Sequence, residues 1–282
     1  MTAHHLVVQG QVLAKGDRQA LLALARGSAI EQLADTAWCI RDADRDVWKA
    51  IATHCEKARL DWGFVHEGRR LADFGLLAMD MDSTLITVEC IDEIADFAGR
   101  RAEVAAVTAA AMRGEIDWTH SLHDRVAALA GLDASVLEHV YSERLALTPG
   151  AESLIAAARR AGLRTLLVSG GFTYFTDRLR DRLGLDEAHS NELVVENGRL
   201  AGRVAGPLVD AAGKAAHVAR MRDGLGLSTQ RVLAIGDGAN DLAMMAEAGT
   251  SIAFNAKAIV RERATYALGH AGLDGVLALF PG

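Results

Sequence analysis

The ten residues Leu76–Leu85, Leu-Leu-Ala-Met-Asp-Met-Asp-Ser-Thr-Leu, indicate the fold of this chain more clearly than any other stretch. An apolar run with the composition of a buried β-strand ends abruptly at two carboxylates, Asp80 and Asp82, and two hydroxyls follow them. If the strand ends there, both carboxylates project from its carboxyl edge, where open α/β sheets bind their ligands. An Asp-x-Asp pair alone is typical of a solvated turn, so the rest of the chain decides its meaning.

Length and composition limit the classes of protein to which the chain can belong. Of its 282 residues, 50% are hydrophobic and 24% are charged, which allows a sizeable core and argues against global disorder. The net charge is −7 and the basic residues are scattered, so we expect no nucleic acid partner. Because no stretch approaches roughly 18 consecutive apolar residues and the start lacks signal-peptide features, we expect no membrane span and a cytoplasmic location. Three well-separated cysteines predict neither a disulfide framework nor a thiolate zinc site.

The chain divides into two blocks of different composition. In residues 1–72 the order of strand-like and helix-like segments is βαβαβ, which predicts a small α/β domain without a cluster of catalytic residues: Leu6–Gln9, Arg18–Arg26, Ala37–Ile40, Val47–Ala58 and Trp62–Val65. In residues 73–282 strands alternate with helices, which predicts a doubly wound, mostly parallel α/β sheet. Between about residues 89 and 145 the pattern is helical throughout, so we expect a four-helix insertion directly after the first strand of that sheet.

Two later strands also end in polar, glycine-rich turns. The predicted strand Leu163–Val168 leads into Ser169-Gly170-Gly171, and the predicted strand Val232–Ile235 leads into Gly236-Asp-Gly-Ala-Asn-Asp241. Parallel strands end at one edge of a sheet, so we expect both turns to lie beside Asp80. A serine flanked by glycines offers a hydroxyl and free backbone amides to an anion.

These turns carry groups that suit a metal ion and a phosphoryl group. Asp80 and Asp237 could share a hard divalent cation, and Mg²⁺ prefers a few carboxylates with water and phosphate oxygens. Lys214, near the start of a predicted helix, could pair with the phosphoryl group. Each feature alone is common in turns and on solvated surfaces, but their combination along one chain indicates phosphoryl transfer.

The predicted cap contains one arginine in a position to reach the same site. Arg125 lies seven residues beyond Trp118, so the two side chains share a helix face two turns apart. On spacing alone, Arg125 can equally be a charge that extends to water from the edge of the apolar stripe.

The motifs Asp80–Thr84, Ser169–Gly170, Lys214 and Gly236–Asp241 resemble the four motifs of the haloacid dehalogenase superfamily. More narrowly, the segments Glu89–Ile94 and Met112–Val126 are similar to those of the phosphoserine phosphatase family. The resemblance covers about residues 74–275, cap included. The first 72 residues resemble the ACT-like extension of that family only in position and size. At Trp118 this chain departs from relatives that often have phenylalanine, with the aromatic character kept.

The resemblance implies magnesium-dependent hydrolysis of O-phosphoserine through an aspartyl-phosphate, as the last step of serine biosynthesis. It implies that Asp80 is the nucleophile and that Asp82 is the general acid and base. The implied metal ligands are Asp80, a backbone oxygen of Asp82, and Asp237.

The same resemblance implies how the substrate would be bound. The implied phosphate-binding residues are Ser169, Gly170, Lys214 and Asn240. Asp241 would steady the metal or Lys214, and Ser83 and Thr84 would order the loop. From the cap, Glu89 would bind the substrate ammonium and Arg125 its carboxylate, while Met112 and Trp118 would exclude water.

Several alternatives stay open on the sequence alone. One is a phosphotransferase, or a phosphatase for another small phosphate ester, which would differ only in the cap pocket. Another is a sensing protein whose first 72 residues bind an amino acid while the catalytic motifs are idle. The sequence also leaves open the L or D preference and the oligomeric state, for which a homodimer is one arrangement it allows.

Overall fold

A computed structural model describes residues 4–10, 13–112 and 115–281, with the side chains of residues 111 and 112 outside that description. In chain order the strands are β1 His4–Gln9, β2 Ile30–Ala34, β3 Ala37–Ile40, β4 Asp61–His66, β5 Leu76–Met79, β6 Arg164–Phe172, β7 Glu187–Glu196, β8 Arg199–Ala205, β9 Val232–Gly236, β10 Thr250–Phe254 and β11 Tyr266–Leu268. They form one sheet in the order β2-β3-β1-β4-β11-β10-β9-β5-β6-β7-β8.

The helices flank this sheet and form the cap. They are α1 Lys15–Leu24, α2 Trp48–Ala58, α3 Cys90–Phe97, α4 Arg101–Met112, α5 Trp118–Ala127, α6 Val136–His139, α7 Ala151–Arg160, α8 Thr173–Leu183, α9 Ala211–Gly224, α10 Leu242–Ala246, α11 Ala258–Arg263 and α12 Gly275–Leu279. None of the described helices is long and apolar enough to cross a membrane.

The centre of the sheet is parallel and buried on both faces. Strand β5 pairs in parallel with β6 on one side and β9 on the other. The polar residues near the carboxyl ends of these three strands therefore lie together. Leu77 and Met79 belong to the apolar cluster that includes α7 and α12, whereas Leu76 and Ala78 belong to the cluster that includes α9 and α10. Side chains alternate between the faces of a strand, so one short apolar segment packs against two helical layers. The expected doubly wound α/β sheet is confirmed.

The cap follows β5 directly, as expected, and is built from α3, α4, α5 and α6. The link between α5 and α6 is hydrogen-bonded to the hairpin formed by β7 and β8. The amide of Gly131 donates to the carbonyl of Leu200, and the amide of Leu200 donates to the carbonyl of Leu132, each at 2.8 Å. The cap is therefore attached to the sheet by this hairpin as well as by its own two chain connections.

The first block differs from the expected order of elements. It contains a further strand, β2, so the order is βαββαβ rather than βαβαβ. Strand β2 is a largely exposed edge strand, and its Ile-Glu-Gln-Leu-Ala sequence lacks the apolar run that marked the other strands. Strand β4 pairs with β11 through Trp62 and Ala267, which joins this block to the main sheet.

One strand end also differs from the sequence expectation. Strand β6 does not stop at Val168 but continues to Phe172, and its register with β7 shifts between these two residues. The Ser-Gly-Gly segment is therefore an irregular part of a strand rather than a turn after it. Such irregularities redirect backbone groups, here toward the cavity at the sheet edge.

Candidate active site

A cavity of about 860 Å³ lies between the carboxyl edge of the sheet and the cap. Ten of the residues expected from the sequence line it: Asp80, Asp82, Glu89, Trp118, Arg125, Ser169, Gly170, Lys214, Asp237 and Asn240. Asp241 is buried beneath it. Met112 ends α4, and its expected water-excluding side chain lies outside the described part of the chain.

Asp80 occupies the centre of the floor, where β5 ends. Its Oδ1 accepts a hydrogen bond from the Met81 amide at 2.7 Å and forms an ion pair with Lys214 Nζ at 2.6 Å. Burial and the neighbouring charge of Asp241 raise the pKa of Asp80 well above its ordinary value, although Lys214 opposes them. A cationic ligand would favour the ionised carboxylate at this position.

Lys214 and Asp241 form a buried pair behind Asp80. Lys214 Nζ also contacts Asp241 Oδ1 at 2.7 Å, and both side chains are almost wholly buried. Burial lowers the pKa of Lys214, but the charges of Asp80 and Asp241 outweigh it and raise that pKa above its ordinary value. Oδ2 of Asp241 accepts from the amides of Asp237 and Gly238 at 3.1 and 2.9 Å. Asp241 thus joins the lysine to the loop after β9.

The acidic cluster fits a hard divalent cation. Carboxylate oxygens of Asp80, Asp237 and Asp241 lie within 4.8 Å of one another. Both oxygens of Asp241 are occupied by Lys214 and the two amides, whereas Oδ2 of Asp80 and of Asp237 has no hydrogen-bond partner among the described residues. Burial and the negative charges of Asp241 and Glu89 raise the pKa of Asp237 to about 6, because both disfavour its ionised form. A cation offsets these negative charges, and carboxylate oxygens are its preferred ligands.

Asp82 stands beside Asp80 with a different set of partners. Its Oδ1 accepts from the Cys90 amide at 2.9 Å, and Ser169 Oγ donates to its Oδ2 at 3.3 Å. Burial and the charge of Glu89 raise the pKa of Asp82 to about 7. A carboxyl group with such a pKa can give and take a proton near neutral pH. A Cβ on Gly171 would lie 2.6 Å from Asp82 Oδ2, so a larger residue there would displace this carboxylate.

The turn Met81–Leu85 holds this geometry through its hydroxyl groups. Ser83 has a positive φ of 57°, and its Oγ donates to Glu89 Oε1 at 2.7 Å. Thr84 Oγ1 donates to Asp237 Oδ1 at 3.3 Å. A left-handed conformation at a non-glycine residue is uncommon and concentrates at functional sites.

The cap places one acidic and one basic group across the cavity from Asp80. Glu89 is exposed at the start of α3, and Arg125 is half-buried on α5, where its Nε donates to the Ser121 carbonyl at 3.2 Å. Burial lowers the pKa of Arg125, whereas the nearby carboxylates, Asp92 first, oppose this shift. The expected shared face of Trp118 and Arg125 is turned toward the cavity.

Trp118 brings the cap into direct contact with the sheet edge. A Cβ on Gly170 would lie 2.9 Å from Cζ2 of the Trp118 ring. The indole therefore covers the backbone of the Ser-Gly-Gly segment.

The residues that line the cavity but that the sequence did not single out include Asp92, Asp210 and Lys257. The amide of Lys257 donates to the Asp237 carbonyl at 3.3 Å. Lys257 follows β10, a fourth strand of the same parallel set, so its position after a strand end was the available signal. Asp92 and Asp210 gave no comparable signal, because carboxylates at helix starts are common caps.

Comparison with known proteins agrees with this site. Residues 77–246 match the model of haloacid dehalogenase-like hydrolases. A curated phosphoserine phosphatase from Albidiferax ferrireducens is 52% identical over 216 residues, which cover 75% of this chain and 91% of that protein.

Two solved structures extend the comparison. A probable phosphoserine phosphatase from Vibrio cholerae has a TM-score of 0.82 at 36% identity. The match covers 98% of this chain and 86% of that protein's chain. A phospho-aspartyl intermediate analogue of phosphoserine phosphatase has a TM-score of 0.69 at 36% identity. The match covers 73% of this chain and 99% of that structure's chain. The chain therefore belongs to the haloacid dehalogenase-like hydrolases and, within them, to the phosphoserine phosphatase family.

Proposed function

We propose that this enzyme hydrolyses O-phosphoserine to serine and phosphate with Mg²⁺, through an aspartyl-phosphate on Asp80, as the last step of serine biosynthesis. One observation carries the proposal: a single cavity contains anion-binding groups at the sheet edge and, on the cap, the carboxylate of Glu89 and the guanidinium of Arg125. Phosphoserine carries a phosphate, an ammonium and a carboxylate, so its three charged groups match these three places. The names of the relatives support the same substrate.

Asp80, Asp237 and a backbone oxygen of Asp82 would hold the Mg²⁺ ion. The oxygen-only donor set suits this ion, which keeps waters and phosphate oxygens among its ligands. When bound, the ion offsets the repulsion between the nucleophilic carboxylate and the phosphate and polarises the phosphoryl group.

Asp80 and Asp82 divide the chemical work. A carboxylate oxygen of Asp80 forms a bond to phosphorus while the bond from phosphorus to the seryl oxygen breaks, and Asp82 gives its proton to that oxygen. Water then attacks the phosphorus of the aspartyl-phosphate, Asp82 takes a proton from the water, and the bond from phosphorus to Asp80 breaks. Phosphate leaves, and both carboxyl groups return to their starting states.

Four groups would bind the phosphoryl oxygens. Lys214 supplies the charge, and the Ser169 hydroxyl, the Gly170 amide and Asn240 supply hydrogen bonds. Lys214 is held by Asp241 at 2.7 Å, so its charge is fixed in place before substrate arrives. Asp241 is proposed to act through Lys214 rather than on the metal, because both of its oxygens are already occupied.

The cap would read the amino-acid part of the substrate. Glu89 binds the ammonium, and Arg125 binds the carboxylate with its planar fork, which a lysine cannot reproduce. Trp118, together with Met112, would exclude water during the reaction.

A substrate panel with and without Mg²⁺ tests the proposal. Phosphate release is measured for phosphoserine, phosphothreonine, glycerol phosphate and p-nitrophenyl phosphate, with EDTA as the metal-free control. We expect the highest kcat/KM for phosphoserine and no turnover in EDTA. A higher kcat/KM for another ester would favour the rival phosphatase, and metal-independent or absent turnover would contradict the mechanism.

A further inference from the structure

Asn191, on β7, lies behind the phosphate-binding side of the cavity and is only 1% exposed. Its side-chain Nδ2 donates to the carbonyl oxygen of Gly170 at 2.8 Å. Its Oδ1 accepts a hydrogen bond from the amide of Val209, also at 2.8 Å. One buried side chain therefore joins two segments that are distant in sequence, the irregular part of β6 and the residue before the N-cap of α9.

The β6 side of this link needs a partner from outside the strand ladder. The register between β6 and β7 shifts across Ser169–Gly171, so the backbone groups there lose their regular cross-strand partners. The Gly171 amide donates a hydrogen bond to Ser169 Oγ at 2.8 Å, and Asn191 Nδ2 donates one to the Gly170 carbonyl. The Gly170 carbonyl is partly buried, and a carbonyl that loses its partner away from water is costly, so the bond from Asn191 favours one orientation of Gly170. The amide of that same residue is proposed to bind a phosphoryl oxygen.

The α9 side of the link controls the position of Lys214. Val209 precedes Asp210, whose side chain caps α9 by accepting from the Gly213 amide at 2.7 Å. The Lys214 amide donates to the Asp210 carbonyl at 2.8 Å, in the first turn of the helix. Holding the Val209 amide therefore fixes the start of the helix that carries the phosphate-binding lysine.

We propose that Asn191 is a positioning residue for phosphoryl binding, which holds the Gly170 backbone and the start of α9 at the spacing that one phosphoryl group requires. This inference rests on the proposed function, because it takes a phosphoryl group as the ligand. It differs from a merely structural role in one respect: loss of Asn191 weakens phosphate binding beyond any loss of stability.

The test compares Asn191→Leu with a control on the same pair of strands. Thr165 lies on β6, and its buried hydroxyl donates to Asp186 Oδ2 at 2.9 Å, just before β7. Four residues of strand, roughly 13 Å, separate Thr165 from Ser169. Thr165→Val therefore removes a buried link of the same kind without touching the cavity. Asn191→Asp is the second variant, since it keeps an acceptor for Val209 but replaces the donor to Gly170 by an oxygen.

Binding of inorganic phosphate to the full chain with Mg²⁺ is measured by titration calorimetry, with thermal unfolding in parallel. We expect both Asn191 variants to bind phosphate about tenfold more weakly, the factor that corresponds to one misplaced hydrogen bond. The KM values for phosphoserine and p-nitrophenyl phosphate should rise by a similar factor, because the two share only the phosphoryl group. Thr165→Val should lose stability and keep its phosphate affinity.

The calorimetric result separates this inference from the proposed function, because it does not depend on turnover. A wild-type protein that binds phosphate but does not hydrolyse phosphoserine would contradict the proposed function alone. Unchanged phosphate affinity in a folded Asn191 variant would overturn the positioning role. Failure of both Asn191 variants to fold, with Thr165→Val folded, would make Asn191 a folding residue and would overturn it too.

Discussion

At the scale of single residues, the floor of the site depends on how Asp80 is held. Asp80 shares Lys214 with Asp241, so two buried carboxylates face one buried ammonium and one negative charge is left over. If Asp80 is made neutral, Lys214 keeps Asp241 at 2.7 Å, and the pair stays balanced. The proposed nucleophile can therefore be replaced without leaving an unpaired buried charge.

The variant Asp80→Asn should lose at least about a thousandfold in kcat, because the amide cannot attack phosphorus. Its thermal unfolding temperature should stay close to that of the wild type, because the ion pair between Lys214 and Asp241 remains. The wild-type enzyme, quenched in acid during turnover of labelled phosphoserine, should retain label that base releases, as expected of an acyl phosphate. Normal turnover by Asp80→Asn would show that the nucleophile lies elsewhere.

The sequence predicted the residues of this site better than it predicted how they are held. Asp80, Asp82 and Asp237 follow strand ends, Lys214 lies in the first turn of a helix, and Ser169 lies near the carboxyl end of β6. Parallel-sheet geometry brings such positions together. The role that we propose for Asn191 had no such signal. It depends on backbone groups some 20 residues away in either direction, and a single asparagine in a strand does not indicate that.

At the scale of elements, the hairpin of β7 and β8 carries part of the cap. Gly202 of β8 has a φ of 72°, and a Cβ there would lie 2.7 Å from the Cβ of Ala130, just after α5. Helix α5 carries both Trp118 and Arg125. The close approach of Gly202 therefore limits how near α5 lies to the sheet.

The variant Gly202→Ala should lower kcat/KM for phosphoserine more than for p-nitrophenyl phosphate, because it displaces α5 but not the sheet edge. Gly206→Ala is the matched control: Gly206 also has a positive φ, of 70°, but has no atom within 4 Å of the added Cβ. Both variants should lose about 1–2 kcal/mol of stability from the strained backbone. Equal kinetic effects of the two would show that the contact with the cap is unimportant.

The sequence indicated the strong elements and missed the weak ones for a physical reason. Strand β5 and the cap helices have apolar patterns that local sequence reveals. Strand β2 is largely exposed and strand β11 has only 3 residues, so tertiary pairing rather than their own sequence makes them strands. The continuation of β6 through two glycines likewise depends on its neighbour β7.

At the scale of the whole molecule, the first block shares both its sheet and part of its core with the rest. Leu6 and Val8 pack in the block's own cluster, whereas Val7 and Val65 join the main core. Gln9 Nε2 donates to the Gly275 carbonyl at 3.0 Å. The domain boundary between residues 72 and 73 stays a prediction. Because of these contacts, we expect that removal of the first block lowers the stability of the rest of the chain.

A protein that starts at Leu71 should keep the chemical step but unfold at a lower temperature than the full chain. All the proposed catalytic residues follow the cut, but the cut uncovers apolar side chains of β11 and α12. The measurements are kcat for p-nitrophenyl phosphate and thermal unfolding. A folded, soluble truncated protein without activity would show that the first block completes the site.

The central claim is that the cap recognises the amino-acid part of the substrate. Its most direct test is the ratio of kcat/KM for phosphoserine to kcat/KM for phosphoethanolamine. The second substrate has the phosphate and the ammonium but lacks the carboxylate. A charge-assisted contact to Arg125 contributes about 1.5–3 kcal/mol, so the wild-type ratio should be about ten to a hundred or more. Arg125→Ala should bring the ratio close to one with little change for phosphoethanolamine. A wild-type ratio near one, or equal losses for both substrates in the variant, would contradict the account.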